Sequence, residues 1–87
     1  MYKLWSPKAW VQYLGFQDTD KKTLKRINSL IKSIERDGYS GIGRPEPLKY
    51  GRSGYWSLQI DKKNRLVFRI ENDTLELDEC GSHYGDK

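Results

Sequence analysis

The chain has 87 residues, of which 36% are hydrophobic and 13% aromatic, a size that fits one domain over residues 1–87. The formal net charge is +4, but residues 1–70 hold 15 Lys and Arg against 6 Asp and Glu, whereas residues 71–87 hold one Lys against six acids. A single cysteine excludes an internal disulfide, and we find neither the ~20 apolar residues of a membrane span nor a signal-peptide pattern. We therefore expect a soluble cytoplasmic protein whose basic body favours a polyanionic partner, either nucleic acid or an acidic protein.

The first 38 residues predict a strand followed by two helices. Residues 2–5 alternate and end at Ser6-Pro7, which is typical of a strand followed by a helix start, with Ser6 as the cap. Asp18-Thr19-Asp20 is a second start signal and Gly38 is a stop signal. Apolar residues recur at helical spacing in both segments: Trp10, Tyr13 and Leu14, then Leu24, Ile27, Leu30, Ile31 and Ile34.

The second half of the chain begins with a segment rich in Gly and Pro, residues 38–54, which predicts a loop. From residue 55 the apolar period becomes two, in three runs: Trp56, Leu58 and Ile60, then Leu66, Phe68 and Ile70, then Leu75 and Leu77. Turns at residues 61–64 and 71–73 separate the runs. The order predicts an α+β domain, in which two N-terminal helices pack on one face of an antiparallel-rich, twisted sheet.

Four polar side chains are candidates for chemistry. Glu46 lies between two prolines, whose fixed φ angles stiffen the backbone that carries this carboxylate. Arg65 lies on the strand face opposite to the apolar residues, and Lys49 follows Leu48 towards the exit of the loop. His83 is the only histidine, and an imidazole titrates near neutrality, as an acid–base catalyst must. Each has a plainer interpretation as a solvated surface residue.

Together these residues form an acid–base set that lacks the ligand spacing of a metal site, so we expect neither a metal nor a cofactor. RNA cleavage without a metal needs such a set. A base removes the 2′-hydroxyl proton, a cation stabilises the phosphorane, and an acid protonates the departing 5′-oxygen. An aromatic side chain such as Tyr84 can hold a nucleobase by stacking.

Several spaced motifs cover about residues 3 to 84. The most specific are Pro45-Glu46-Pro47-Leu48-Lys49, Ser53-Gly54-Tyr55-Trp56-Ser57, Arg65-Leu66-Val67 and His83-Tyr84. In these motifs the chain resembles the YoeB/Txe branch of the RelE-type toxins. The resemblance implies a RelE-like fold and a ribosome-dependent mRNA interferase that cuts messenger RNA in the A site. It also implies a YefM-like antitoxin, a homodimer, and operator DNA binding only through the antitoxin.

The resemblance also implies roles for individual residues. Glu46 corresponds to the general base, His83 to the general acid and Arg65 to the transition-state stabiliser. Lys49 corresponds to a phosphate contact and Tyr84 to the residue that stacks on a base.

The chain departs from this family at four positions that are often basic or His in relatives: Leu58, Gln59, Asn64 and Gly81. We expect fewer phosphate contacts and a shallower salt dependence as a result. These departures keep open a second hypothesis, a non-catalytic module that binds the ribosome or a partner. A DNA-binding regulator acting alone is the weakest hypothesis, because no helix-turn-helix pattern is evident.

Overall fold

The structure is a computed structural model and describes residues 1–49 and 54–81. Its elements, in chain order, are β1 (Tyr2–Trp5), α1 (Pro7–Thr19), α2 (Lys21–Asp37), a 3₁₀ turn (Gly38–Ser40), β2 (Glu46–Pro47), β3 (Trp56–Gln59), β4 (Arg65–Glu71) and β5 (Thr74–Glu79). The strands form one sheet in the order β1-β5-β4-β3-β2. β1 is parallel to β5, and the other neighbours are antiparallel. The predicted α+β class with two N-terminal helices is confirmed.

Both predicted helix starts are capped as the sequence indicates. The Ser6 hydroxyl oxygen accepts a hydrogen bond from the Ala9 N–H at 3.0 Å and donates one to the Asp78 carbonyl at 2.7 Å. Asp20 separates the two helices, and its carboxylate accepts a hydrogen bond from the Thr23 N–H at 3.0 Å. These caps satisfy backbone donors that a helix leaves unpaired, and they fix the turn between α1 and α2.

The core lies between α2 and one face of the sheet. The apolar stripe of α2 is buried, while its lysines are exposed. Fully or nearly fully buried side chains from both layers form the core: Ile27, Leu30, Ile31, Ile34, Leu58, Ile60, Leu66, Phe68, Leu75, Leu77 and Cys80. The helices therefore cover one face of the sheet, and we call the other the helix-free face.

The prediction of a continuous loop over residues 38–54 is wrong in part. Glu46 and Pro47 pair with Ser57 and Trp56 of β3 and so form the edge strand β2. A proline is tolerated there because an edge strand needs ladder hydrogen bonds on one side only. Residues 50–53 of the predicted loop lie outside the described residues.

A β-bulge changes the alternation of β5. Val67 pairs with Glu79, but the next residue of β4, Phe68, pairs with Leu77, so Asp78 is the extra residue. At the bulge, two residues of β5 lie opposite one residue of β4. The alternation of side chains between the two faces of the sheet therefore shifts by one residue along β5. Glu79 therefore shares the helix-free face with Val67, and Cys80 joins the core. The sequence alternation of Leu75 and Leu77 did not predict this change.

Candidate functional site

A cleft of about 350 Å³ on the helix-free face brings two of the predicted catalytic residues together. Glu46 pairs with Ser57 across β2 and β3, and Gln59 pairs with Arg65 across β3 and β4. Paired residues point to the same side, and so do residues two apart on one strand. Glu46 and Arg65 consequently line one cleft together with Ser57 and Gln59.

The backbone at Arg65 connects this cleft to the end of β5. The Arg65 N–H donates a hydrogen bond to the Gly81 carbonyl at 3.1 Å, and Gly81 is buried. The predicted general acid His83 and the predicted stacking residue Tyr84 follow two and three positions later, outside the described residues.

A turn over residues 61–64 forms a wall of the cleft. One Asp61 carboxylate oxygen accepts hydrogen bonds from the backbone N–H groups of Lys63 and Asn64, each at 2.8 Å. The Asn64 amide also donates to both carboxylate oxygens at 3.1 Å. Burial raises the pKa of Asp61, but these hydrogen bonds and the charge of Lys63 outweigh it, so this pKa is lower than usual. The turn holds Lys62 and Lys63 at the rim of the cleft.

The geometry distinguishes the predicted residues from one another. Glu46 is exposed and Arg65 is half-buried, and both line the cleft. Lys49 is exposed three positions beyond Glu46 and does not line it. Cleft residues that the sequence reasoning did not select are Arg44, Ser57, Asp61, Lys62 and Lys63. Strand register could have indicated Ser57, but no local pattern in the sequence indicates Arg44.

The positions that depart from the family have distinct surroundings. Leu58 is a core residue with an exposure of 2%, whereas Gln59 is exposed and lines the cleft. Asn64 has a structural role, since its amide binds Asp61. Gly81 packs against Gln12, and a Cβ added there would lie 2.8 Å from the Gln12 amide nitrogen. Of the four positions, Gln59 is the one whose side chain faces the cleft and is exposed.

Outside this cleft, the cysteine offers little for chemistry. The Cys80 thiol is buried and lies 3.3 Å from the Ala9 carbonyl, and burial raises its pKa to about 12. This thiol stays protonated near neutrality, which suppresses its reactivity. Over residues 1–49 and 54–81, no group of three or more His, Cys, Asp or Glu could hold a metal ion. Within the same ranges, no helix is both long enough and apolar enough to cross a membrane.

Two helices on a mixed sheet, with a Glu–Arg cleft on the helix-free face, define a RelE-like toxin domain. The family described as "YoeB-like toxin of bacterial type II toxin-antitoxin system" matches residues 5–84. The chain therefore belongs to the YoeB toxin family, and it is the toxin of a type II toxin–antitoxin system.

Relatives and solved structures agree over nearly the whole chain. The chain is 44% identical to Toxin YoeB of Escherichia coli (strain K12), covering 97% of this chain and 100% of the relative. It is 54% identical to Toxin YoeB of Synechocystis sp. (strain ATCC 27184 / PCC 6803 / Kazusa), covering 87% of this chain and 88% of the relative. It superposes on YoeB in a YoeB–YefM complex from Staphylococcus aureus with a TM-score of 0.91, 40% identity and coverage of 97% and 98%. It superposes on a YoeB dimer structure from the same organism with a TM-score of 0.89 and 41% identity, covering 97% of this chain and 98% of that chain.

Proposed function

We propose that this toxin is a ribosome-dependent mRNA endonuclease that cuts messenger RNA in the A site by metal-independent acid–base chemistry. The observation that carries the proposal is the meeting of Glu46 and Arg65 in one cleft on the helix-free face. The hydrogen bond from Arg65 to Gly81 supports it further, because the histidine needed as the acid follows two residues later.

The proposed reaction is an in-line transfer in which each residue has one task. The Glu46 carboxylate takes the proton of the ribose 2′-hydroxyl, and the 2′-oxygen attacks the adjacent phosphorus. The Arg65 guanidinium stabilises the negative charge of the phosphorane. His83 donates a proton to the departing 5′-oxygen as the P–O5′ bond breaks. The products are a 2′,3′-cyclic phosphate and a 5′-hydroxyl, so all atoms and protons are accounted for.

Substrate binding in this proposal uses the remaining predicted residues. Lys49 contacts a phosphate beside the cleft, and Tyr84 stacks on a nucleobase. The basic residues of the domain contact ribosomal RNA. The ribosome supplies the orientation of the messenger, since an open cleft of about 350 Å³ holds only part of a strand.

The proposed partners follow from the same family. A YefM-like antitoxin binds and neutralises this toxin in the cytoplasm; the support for this partner is the similar YoeB of Staphylococcus aureus, which forms a complex with YefM. The toxin forms a homodimer, a state that the YoeB dimer from that organism has. Operator DNA is bound through the antitoxin only.

Mapping of mRNA 5′ ends in a reconstituted translation reaction, with and without the protein, tests the proposal. We expect new ends at the A site that require ribosomes. At a fixed Mg²⁺ concentration, their amount should be the same with and without other added metal ions. Glu46→Gln and His83→Gln should each slow cleavage by roughly 10²–10⁴-fold, the usual contribution of a general base or acid. Glu35→Gln is the matched control, because Glu35 is a carboxylate on α2 that binds Lys3 at 2.9 Å, outside the cleft. Equal cleavage by Glu46→Gln and Glu35→Gln would refute the assignment of the base.

A second candidate function is a module that blocks the ribosome without cutting. Gln59 favours it, since this exposed cleft position is often basic in relatives and is neutral here. This function predicts translation arrest with no new mRNA ends. It also predicts that Glu46→Gln arrests translation as strongly as the wild type.

A further inference from the structure

A second cleft, of about 520 Å³, lies beside the candidate cleft and shares part of its wall. The shared residues are Gly43, Arg44, Gln59, Asp61 and Lys62. From this common wall the second cleft extends to Arg26 on the exposed face of α2. A solvent-open path therefore runs from α2, across the shared wall, to Glu46 and Arg65.

The loop that carries Arg44 is fixed against α2. The buried Ser33 hydroxyl oxygen accepts a hydrogen bond from the Ile42 N–H at 2.9 Å. A side chain at Gly41 would collide with the Ser33 hydroxyl. Gly43 has a φ of +89°, and a Cβ added there would lie 3.1 Å from Leu30 and 3.3 Å from Leu58. These close approaches hold the backbone on either side of Ile42 at a defined place above the core.

Arg44 has an uncommon backbone conformation at this place, with a φ of 54°. A left-handed conformation is unfavourable for a residue with a Cβ, and it persists where the surroundings impose it. Such residues concentrate at ligand sites, because the conformation directs a side chain where a regular backbone would not. In this protein the residue so directed is an exposed arginine between two clefts.

The second cleft carries a net positive charge, since Arg26, Arg44 and Lys62 line it beside one carboxylate, that of Asp61. Over residues 1–49 and 54–81, no carboxylate forms an ion pair with Arg26, Arg44 or Lys62. Arg36, further along α2, differs in that its guanidinium binds Asp37 at 3.1 Å. Three cations along one open path attract a polyanion more strongly than the same cations would when scattered and paired.

We propose that Arg44, with Arg26 and Lys62, forms a second phosphate-binding subsite for a single-stranded RNA, which crosses the shared wall between the two clefts. The subsite rests on the proposed function, since it holds the strand on one side of the bond that Glu46 and Arg65 act on. Arg44 is the central residue, because it lines both clefts and a guanidinium can bind a phosphate in a bidentate manner.

Binding of an uncleavable probe tests the subsite separately from catalysis. The probe is a fluorescein-labelled 12-nucleotide RNA with 2′-O-methyl riboses, measured by fluorescence anisotropy at several NaCl concentrations. We expect Arg44→Ala to weaken binding by about 5–10-fold and to reduce the salt slope by about 0.7, the value for one phosphate contact on a single strand. Arg26→Ala and Lys62→Ala should each weaken it by about 3-fold. Arg36→Ala, which removes the same charge, should change it less than about 2-fold.

Two further variants keep the test decisive if Arg44→Ala is unstable. Arg44→Gly removes the guanidinium and accepts the positive φ without strain, so it should bind RNA as weakly as Arg44→Ala. Arg44→Lys keeps the charge and should recover part of the affinity. Equal affinities for Arg44→Gly, Arg36→Ala and the wild type would overturn the subsite. An equal loss in Arg44→Gly and Arg36→Ala would also overturn it, since net charge alone would explain the loss.

Cleavage on ribosomes then separates this inference from the proposed function. In single-turnover reactions, Arg44→Gly should raise the half-saturating concentration and leave the maximal rate nearly unchanged. If the wild-type protein cuts no mRNA, the proposed function fails, but the binding contrast between Arg44→Gly and Arg36→Ala still decides the subsite. If the wild type cuts mRNA and the two variants behave alike in both assays, the subsite fails and the proposed function remains.

Discussion

The two ends of the helix-free face use their charged residues differently. At the end formed by β1, β5 and the far half of β4, the Arg69 guanidinium binds Glu76 at 3.0 Å and Glu71 at 3.4 Å. It also lies over the Tyr55 ring, 4.9 Å from the centroid. At the other end, Glu46 and Arg65 face a solvent-open cleft. The arginine of the first end joins neighbouring strands, whereas the charged residues of the second end line an open cleft.

The comparison explains the uneven charge of the sequence. The acidic C-terminal part of the chain includes β5, whose carboxylates Glu76 and Glu79 have cationic partners: Arg69 for the first, and Lys8, at 3.7 Å, for the second. Five basic residues of the rest of the chain line the two clefts: Arg26, Arg44, Lys62, Lys63 and Arg65. The net charge is thus a poor guide to binding, because internal pairing removes part of the charge from one end only.

The largest expected difference between the two ends is in activity, and Arg65 and Arg69 measure it. Both are arginines on the same face of β4. Arg65→Ala should slow cleavage of mRNA by about 10²–10³-fold, the scale for removing one group that stabilises an oxyanion. Arg69→Ala should leave cleavage within about 3-fold and lower the melting temperature by about 2–6 °C. Single-turnover cleavage and thermal unfolding of both variants provide the measurement.

The reverse pattern would contradict this division of roles. A loss of activity in Arg69→Ala as large as that in Arg65→Ala, at equal stability, would mean that the catalytic surface extends to β5. Arg65→Lys is the control for charge, since it retains the cation and loses the planar guanidinium.

Two neighbouring residues of β3 sharpen the distinction between core and cleft. Leu58 is buried and Gln59 is exposed, although they are adjacent in sequence. Leu58→Ala should lower the free energy of unfolding by about 2–4 kcal/mol, because it leaves a cavity in the core. Gln59→Arg should leave stability nearly unchanged and steepen the salt dependence of RNA binding by about 0.7. Urea unfolding and anisotropy titrations check the two parts.

The outcome for Gln59→Arg also bears on the departures from the family. Tighter RNA binding would mean that a basic residue at this position supplies a contact that the natural sequence lacks. Unchanged binding and an unchanged salt slope would show instead that the strand does not pass over β3.

The smallest expected effect concerns the pH dependence of the cleft wall. Because the folded-state pKa of Asp61 is lower than its ordinary value of 3.8, its stabilising contribution is present above that value and is lost as the pH falls through the folded pKa. The effect is roughly 0.5 kcal/mol or less, since solvent screens this exposed residue. Asp61→Asn should therefore lose less stability between pH 5 and pH 3 than the wild type, as calorimetry can measure. An equal loss would show that the turn contributes no pH dependence.

The helices and the core were largely predictable from sequence because their signals are local. Ser6, Asp20 and Gly38 mark the ends of α1 and α2, and each capping hydrogen bond, at Ser6 and at Asp20, joins residues three positions apart in the chain. The period of two in β3 and β4 likewise predicts which residues are buried. Glu46 and Arg65 were predicted as site residues from their chemistry and from the resemblance to a family, and the structure places both in one cleft.

The sequence by itself determined the fold class of this protein, through the α+β order of its elements and their apolar faces. Only the tertiary structure decided which polar residues share a surface. Register across three strands pairs Glu46 with Ser57 and Arg65 with Gln59, which puts Glu46 and Arg65 on one face. The bulge at Asp78 moves Cys80 into the core. The contact of the 41–44 loop with α2 places Arg44 between the clefts. These features depend on pairing between residues distant in the chain, and local propensity contains no information about such pairing.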